Sequence, residues 1–168
     1  MFSREALAKG YKEEFLTATG VSIKRNDGSL IDKFYDRVMF PIHSVSGRVI
    51  AFGGRTLRSD YKTANIGKYV NSPETEIYDK SRSLYGIYFA KSEISRQDKC
   101  FLVEGYLDVL SMHQLGITNV VASSGTSLTV PQIRLIKKFT SNVTIMYDGD
   151  AAGIHAALRG IGLILKEG

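Results

Sequence analysis

The spacing of apolar and polar positions changes near residue 84 and divides the chain into two parts. Before that point, short apolar runs are separated by long polar and basic stretches. After it, apolar runs alternate regularly with segments whose apolar residues follow the spacing of an amphipathic helix. We therefore predict a small, partial α+β lobe over residues 1–83 and an α/β domain over residues 84–168.

The N-terminal part gives the weaker pattern. Ser46-Gly47 supplies turn chemistry between two β-rich runs and predicts a hairpin, and Gly53-Gly54 is expected to end its second strand. The elements predicted here are a helix over 4–18, an irregular stretch over 21–36, strands over 37–42 and 48–52, and a mostly irregular stretch over 55–83.

The C-terminal part alternates strands and helices, which predicts a parallel sheet with helices on both faces. Its predicted elements are a helix over 87–95, then strands over 100–103, 119–122 and 143–147, each followed by a helix, over 106–115, 130–139 and 151–166. The residues most simply assigned to a core are Tyr35, Phe40, Phe52, Leu107, Leu110, Ile145 and Leu158.

Acidic residues directly follow the first and the last strand of this predicted sheet. Glu104 comes after one apolar run, and Asp148 and Asp150 flank Gly149 after another. Because ligands bind beyond the carboxyl ends of parallel strands, we expect the three carboxylates to converge at that edge. Their mutual repulsion calls for a cation between them, and Mg²⁺ suits oxygen ligands that it shares with substrate phosphates. Each motif alone also fits a plain loop, or a helix start with Asp150 as its N-cap.

Two neighbouring features are open to more than one interpretation. Asp108 lies four residues after Glu104 and is either a support for the acidic site or a helix-surface acid. The hydroxyl-rich loop Ser123-Ser124-Gly125-Thr126-Ser127 follows the middle strand. It either contacts phosphate or orients Glu104, or it is an ordinary strand-to-helix turn.

The net charge of +5 is concentrated in the first 99 residues, which carry 17 basic and 12 acidic side chains. Residues 48–68 hold five of the basic side chains, against Asp60 as their one acid. This local excess favours a polyanionic partner such as nucleic acid or a nucleotide, although charge alone also fits a solvated basic surface.

Composition excludes several classes of protein. Cys100 is the one cysteine, so no intrachain disulfide forms, and its place before an apolar run predicts a small buried residue. One cysteine and three scattered histidines lack the ligand spacing of a zinc site, so we expect no zinc in this chain. No apolar run is long enough for a membrane span and no stretch resembles a signal peptide, so we expect no membrane partner and a cytoplasmic location.

Two motifs resemble the signatures of the Toprim fold, which bacterial primases share with type IA and type II topoisomerases and some nucleases. The motifs are Val103-Glu104-Gly105-Tyr106-Leu107-Asp108 and Tyr147-Asp148-Gly149-Asp150-Ala151-Ala152-Gly153. The resemblance narrows to the bacterial DnaG-type primase through segments 37–42, 47–55 and 68–75, together with Lys80 and Leu84-Tyr85-Gly86. It covers the chain from Gly10 onward and implies a Rossmann-like Toprim domain preceded by a small basic α+β lobe.

The resemblance also implies roles for individual residues. Glu104 matches a metal-associated or acid/base residue of nucleotidyl transfer, and Asp148 and Asp150 match a pair that binds Mg²⁺, with Mn²⁺ as an alternative. Contacts with template DNA, primer or nucleotide phosphates are implied for Arg55, Lys68, Tyr69, Asn71 and Lys80. For Tyr69, base stacking is one interpretation and packing against the hairpin is the other.

The activity implied by the family is synthesis of RNA primers during DNA replication, at a nucleoid-associated fork of a bacterium. The implied partners are a single-stranded DNA template, an RNA primer, nucleoside triphosphates, and a replicative helicase that binds through regions absent here. A zinc-binding domain and a further acidic strand of the family have no counterpart in this sequence, so we expect an excerpt whose Toprim domain is truncated at its C-terminus.

Three rival hypotheses follow from the same residues. One keeps the fold and makes the chain a Toprim nuclease or topoisomerase-type domain. Another is a nucleic-acid-binding fragment without catalysis of its own. The third, a receiver-like phosphoacceptor, needs a lysine at the end of a later strand, and the sequence offers no such strand.

Overall fold

The structure is a computed structural model that describes residues 1–125 and 127–168. Across these two ranges, no helix has the combination of length and hydropathy that crossing a bilayer demands. Contacts within the chain define two compact units. They are, first, Met1–Pro41 with Val49–Tyr78 and, second, Ile42–Arg48 with Asp79–Gly168.

The first unit is built from short elements. Its helices are α1 (Phe2–Ala8) and α2 (Glu13–Ala18), and its strands are β1 (Ser22–Lys24), β2 (Leu30–Asp32), β3 (Arg37–His43), β4 (Val49–Thr56) and β5 (Tyr69–Asn71). Strands β1 and β2 pair antiparallel in one sheet. In another sheet, β4 lies between β3 and β5, and its pairing with β5 is antiparallel. The last residues of β3 and the turn that follows belong to the second unit.

The single helix predicted over 4–18 is wrong, because the chain turns between α1 and α2 at Gly10. Gly10 has a φ of 86°, a left-handed conformation in which a side chain is strained. Its amide donates to the Leu7 carbonyl at 3.0 Å, and the Tyr11 amide donates to the Ala6 carbonyl at 3.1 Å. These paired bonds form a Schellman motif, which terminates the helix even though apolar spacing continues beyond it.

The irregular stretch predicted over 21–36 is also wrong in part, since β1 and β2 form a small hairpin there. The turn at Asn26-Asp27-Gly28 joins them, with the Gly28 amide donating to the Arg25 carbonyl at 2.9 Å. Asp32, at the end of β2, reaches α1. Its carboxylate accepts the amides of Phe2 and Ser3, each at 2.7 Å, and the Ser3 hydroxyl at 2.5 Å. The hairpin therefore anchors the first turn of α1.

Strand β4 runs through Gly53-Gly54, where the sequence predicted its end. A Cβ on Gly54 would lie 2.8 Å from the Phe34 ring, so the missing side chain makes room for Phe34 rather than ending the strand. Strand β5, inside the stretch predicted as mostly irregular, pairs with this extension of β4. The Phe52 amide donates to the Ser72 hydroxyl and the Ser72 amide donates to the Phe52 carbonyl, which continues the pairing.

The second unit confirms the predicted α/β order. Its elements are a 3₁₀ turn at Lys80–Arg82, α3 (Ile87–Gln97), β6 (Cys100–Val103), α4 (Tyr106–Gln114), β7 (Val120–Ala122), α5 (Val130–Lys137), β8 (Val143–Ile145) and α6 (Ala151–Glu167). Strand β6 lies between β7 and β8 and is parallel to both. Tyr85 bridges the outer edge of β7 through amide and carbonyl bonds to Ala122 of 2.9 and 3.0 Å.

Side chains of the parallel sheet alternate between two apolar layers. Cys100, Leu102 and Val121 pack with buried residues of α3 and α5 and with half-buried residues of α6. Val103 and Val120, on the other face, pack with buried residues of α4. Because consecutive strand residues point to opposite faces, this alternation gives the predicted arrangement of helices on both faces of the sheet.

The core predictions were correct only in part. Phe40 is buried, and Phe52 and Ile145 are half-buried. The predictions for Tyr35 and Leu158 are wrong, since these side chains are 73% and 61% exposed. Leu107 and Leu110 are exposed as well, so their assignment to the core is also wrong. The helical leucines follow apolar spacing that continues around α4 and α6 beyond the face that meets the sheet, so spacing assigned too many positions to the core.

Cys100 should be chemically protected in the folded chain. It is fully buried, and burial raises the pKa of its thiol to about 12, so the reactive thiolate is scarce at neutral pH. We expect labelling by a thiol reagent to be roughly 100-fold slower in native buffer than in denaturant. Ser59→Cys, at an exposed position, is the control that should label at once. Rapid labelling of Cys100 in native protein would contradict the burial of β6.

Asp32→Asn should lower the free energy of unfolding by about 1 kcal/mol, as for loss of a helix cap. Burial favours a higher pKa for Asp32, but the Ser3 hydroxyl and the two helix amides outweigh it and hold the pKa below its ordinary value. The carboxylate therefore contributes stability above the unfolded-state pKa and loses it as pH falls below about 4. Denaturant titrations at pH 7 and pH 3 measure the difference, with the exposed Glu76→Gln as a control. A deficit in Asp32→Asn that is equally large at both pH values would contradict this account.

Candidate functional site

Glu104 is the first residue beyond β6, at the carboxyl edge of the parallel sheet. The ends of β7 and β8 lie at the same edge, because both strands are parallel to β6. The Glu104 carbonyl accepts the Ser124 amide at 3.0 Å, which ties it to the loop after β7. Its side chain is half-buried, so the carboxylate lies at the rim rather than in the core.

The structure brings the Glu104 carboxylate to the backbone of Asp148. Its Oε1 accepts the Asp148 amide at 3.1 Å. Asp148 itself is exposed. Asp150 is the N-cap of α6, and its Oδ1 accepts the Gly153 amide at 2.8 Å. The N-cap interpretation of Asp150 is thus correct in this structure.

Gly153 fixes the path of the Asp148 segment. A Cβ at Gly153 would lie 2.1 Å from the Asp148 carbonyl oxygen, so only glycine lets the first turn of α6 approach this segment so closely. No role for Gly153 was predicted from the sequence. The signal was its position three residues after an N-cap acid.

The donor set fits a hard divalent cation. Glu104 and Asp150 each use one carboxylate oxygen for an amide, which leaves a second oxygen on each, together with the exposed Asp148 carboxylate. In the part of the chain that the structure describes, however, no three histidine, cysteine or acidic side chains are gathered closely enough to hold an ion. Binding would therefore require these carboxylates to turn toward the ion.

Asp108 has a local role that the sequence left open. Its Oδ2 accepts the amide of Gly105, the N-cap of α4, at 2.9 Å. This bond is the half of a capping box in which the N3 side chain satisfies the N-cap amide, since Gly105 has no side chain to return a bond. Asp108 therefore holds the turn that carries Glu104.

The hydroxyl-rich loop after β7 is described except for Thr126, which lies outside the described residues. Ser124 and Gly125 have φ values of 55° and 79°, so two successive residues are left-handed. Ser124 is buried, and its hydroxyl has no hydrogen-bond partner within the described residues. The predicted contact of this loop with phosphate stays a prediction.

Tyr147 lies beyond the end of β8, which stops two residues earlier than predicted. Its ring is half-buried against the core of the second unit. Burial raises the pKa of its hydroxyl; the nearby Ser123 hydroxyl opposes this shift and the negative charge of Glu104 adds to it. Among the described residues the Tyr147 hydroxyl has no partner in good hydrogen-bond geometry.

Lys80 belongs to the second unit. It begins the 3₁₀ turn, and its Nζ donates to the Gly125 carbonyl at 3.2 Å. Since the next residue back, Ser124, binds the Glu104 carbonyl, Lys80 and Glu104 contact neighbouring residues of one loop.

The other basic and polar candidates belong to the first unit. Arg55 on β4 stands opposite Tyr69 on β5, with its guanidinium carbon 5.9 Å from the ring centroid. Asn71 stands opposite Gly53 in the same ladder. The Nε of Arg55 is buried and, within residues 1–125 and 127–168, has no hydrogen-bond partner. Lys68 is exposed directly before β5.

Arg37 supports this ladder and was missed as a support residue. Its Nη1 donates to the carbonyls of Gly67 at 2.9 Å, Lys68 at 3.3 Å and Gly54 at 3.4 Å. Burial lowers the pKa of its guanidinium, although the group stays charged at any physiological pH. The sequence shows Arg37 only as the start of a strand, so no signal distinguished it.

Residues 1–91 match the family described as the DNA primase catalytic core, N-terminal domain, and residues 101–168 match a Toprim-like family. The DNA primase of Clostridium acetobutylicum is 46% identical over 162 residues, which are 96% of this chain and 26% of that protein. The DNA primase of Legionella pneumophila is 46% identical over 146 residues, 87% of this chain and 25% of that protein. The chain thus spans about a quarter of the length of these curated relatives.

Solved structures agree with the sequence matches. The Aquifex aeolicus primase, with its zinc-binding and RNA polymerase domains, superposes with a TM-score of 0.86 at 42% identity, covering 96% of this chain and 40% of that one. The E. coli primase catalytic core gives a TM-score of 0.79 at 44% identity over 88% of this chain and 46% of that one. The match to the primase catalytic core covers residues 1–91, which are more than half of this chain. The chain therefore belongs to the DNA primase catalytic core family.

Proposed function

We propose that this chain is part of a primase that synthesises RNA primers on single-stranded DNA during replication, by metal-dependent nucleotidyl transfer. The observation that carries the proposal is the Glu104 carboxylate at the Asp148 amide, at the carboxyl edge of a Toprim sheet. The activity and its substrates are proposed for the full-length protein, since the chain spans about a quarter of its relatives.

Structures of relatives support nucleic acid as the partner. A DnaG primase catalytic domain bound to single-stranded DNA superposes with a TM-score of 0.81 at 42% identity. The RNA polymerase domain of Mycobacterium tuberculosis primase, in complex with a double-stranded DNA that has a 6-nucleotide overhang, superposes with a TM-score of 0.82 at 36% identity. We extend this partner class to the present chain, with nucleoside triphosphates as the second substrate.

In the proposed reaction, the 3′-hydroxyl of the primer attacks the α-phosphate of a nucleoside triphosphate. Glu104, Asp148 and Asp150 would hold Mg²⁺, or Mn²⁺ in its place. The bound ion would supply neutralisation of the charge that develops on phosphate oxygens. The chain itself contributes position: Asp108 and Gly153 fix the backbone segments that carry these three carboxylates.

The first unit is proposed to hold nucleic acid or nucleotide through Arg55, Lys68, Tyr69 and Asn71, and the second unit through Lys80. The guanidinium of half-buried Arg55 and the exposed ammonium of Lys68 carry positive charge suited to phosphate oxygens. The same proposal includes a division of the sequence into a basic lobe over residues 1–83 and a Toprim domain over residues 84–168. It also includes a cytoplasmic location at the replication fork and a replicative helicase as a partner.

One observation favours a second candidate, a nucleic-acid-binding fragment without catalysis of its own. No three ligands are gathered for an ion within the described residues. Calorimetry with Mg²⁺ on this chain and on the full-length protein separates the two. If only the full-length protein binds magnesium, while both proteins bind single-stranded DNA, the second candidate is favoured for the fragment.

Asp148→Asn in the full-length protein should reduce primer synthesis by roughly 100-fold or more, because it removes a charge at the proposed ion site. Affinity for single-stranded DNA should change little. A primer-extension assay with Mg²⁺ and labelled ribonucleotides measures the rate. Glu5→Gln, an exposed acid of α1, is the control. Unchanged synthesis in Asp148→Asn would refute the assignment of the ion site.

Tyr69→Leu should weaken binding of single-stranded DNA by roughly tenfold if a base stacks on this half-exposed ring. The slope of log affinity against log salt should stay unchanged, because no charge is removed. Fluorescence anisotropy measures both quantities, and Tyr69→Phe should bind like the wild type. A loss of thermal stability in Tyr69→Leu without a loss of affinity would assign Tyr69 to packing instead.

A further inference from the structure

Lys80 stands on a segment that is too short to hold its own position. The 3₁₀ turn at Lys80–Arg82 has three residues, and such turns have weaker hydrogen-bond geometry than α-helix. Asp79 caps it, accepting the Ser81 amide at 2.9 Å and the Ser81 hydroxyl at 2.7 Å. These contacts shape the turn, but they are local and do not fix it to the sheet.

The side chain of Gln132, in the first turn of α5, supplies part of that attachment. Its Nε2 donates to the Ser83 carbonyl at 2.8 Å and to the Lys80 carbonyl at 3.3 Å. Its Oε1 accepts the Thr129 amide at 3.1 Å. Gln132 is fully buried, so its amide depends on these protein partners rather than on water.

Thr129, the N-cap of α5, supplies the rest. Its hydroxyl donates to the Ser81 carbonyl at 2.5 Å and accepts the Gln132 amide at 3.2 Å. A capping box needs only the oxygen of Gln132 to satisfy the N-cap amide. The amide end of the same side chain goes beyond capping, because it binds the carbonyls of the first residue of the 3₁₀ turn and of the residue that follows the turn.

The position fixed in this way is the one from which Lys80 reaches the loop after β7. Its Nζ donates to the Gly125 carbonyl, and the neighbouring Ser124 amide donates to the Glu104 carbonyl. A shift of the Lys80 backbone would therefore move the ammonium group relative to the loop that also contacts Glu104.

We propose that Gln132 is a positioning residue for Lys80: its buried amide holds the backbone from which the Lys80 ammonium contacts a phosphate of the nucleic acid. The inference rests on the proposed function, which assigns Lys80 to nucleic-acid binding. Gln132 itself touches no substrate, since it is fully buried beneath the turn.

The test uses Gln132→Met, which keeps the length of the side chain and removes its hydrogen bonds, in the full-length protein. Anisotropy with a labelled single-stranded oligonucleotide gives affinity as a function of salt. We expect Lys80→Met to reduce the slope of log affinity against log salt by about 0.7, the value for one phosphate contact on a single strand. Gln132→Met should reduce the slope by the same amount, and the double variant should reduce it no further.

A matched control is Asn119→Leu. Asn119 is also buried, and its Nδ2 donates to the Lys99 carbonyl at 2.8 Å at the opposite edge of the same sheet. The Asn119→Leu variant should lose thermal stability and keep the wild-type slope of log affinity against log salt. Hydrogen exchange of the Ser83 amide, which donates to the Lys80 carbonyl, should accelerate in Gln132→Met and stay slow in Asn119→Leu.

The outcomes separate the inference from the function on which it rests. A reduced slope in Lys80→Met with a wild-type slope in Gln132→Met would overturn the positioning role alone. An unchanged slope in Lys80→Met would overturn the proposed contact of Lys80 with nucleic acid, and the inference with it. Additive losses in the double variant would show that Gln132 acts through general stability, which also overturns the inference.

Discussion

The parallel pairing of β6 with both β7 and β8 is the constraint on which the candidate site depends. Leu102 stands opposite Val121 on one side and Ile145 on the other, and this register delivers the ends of the strands to one edge. A shift by one residue would exchange the two apolar layers, because neighbouring side chains point to opposite faces. Burial on both faces thus fixes the register, and the register fixes where Glu104 and Asp148 emerge.

Backbone amides hold two of the acids at this edge. Glu104 accepts the amide of Asp148 and Asp150 accepts the amide of Gly153. Hydrogen bonds to charged groups are stronger than neutral ones, so these contacts offset part of the repulsion between neighbouring carboxylates. The same contacts commit one oxygen of each of these two carboxylates to an amide, and no group of ligands is already gathered in the described residues.

The sequence predicted the second unit far better than the first, for a physical reason. Each strand, turn and helix of the α/β order is specified by neighbouring residues, as where Gly116 closes α4 at a φ of 80°. In the first unit, Gly10 breaks a continuous apolar pattern and Gly54 continues a strand, and both outcomes depend on hydrogen bonds or rings elsewhere. The acids of the candidate site were predicted because they follow apolar runs. Arg37, Gly153 and Gln132 were not, because their roles exist only through contacts distant in sequence or across a helix turn.

The strand ends supply carboxylates to the carboxyl edge of the sheet, and the ammonium of Lys80 contacts the loop after β7 from outside the strands. The segment from Lys80 to Tyr85 is attached at both ends. Tyr85 pairs with Ala122 on the outer edge of β7, and the turn that begins with Lys80 is bound by the first turn of α5. Buried polar groups are costly unless satisfied, and here the side chains of Thr129 and Gln132 are satisfied by the carbonyls of Lys80, Ser81 and Ser83. Satisfying these polar groups and placing the lysine are therefore accomplished by the same bonds, so neither is lost without the other.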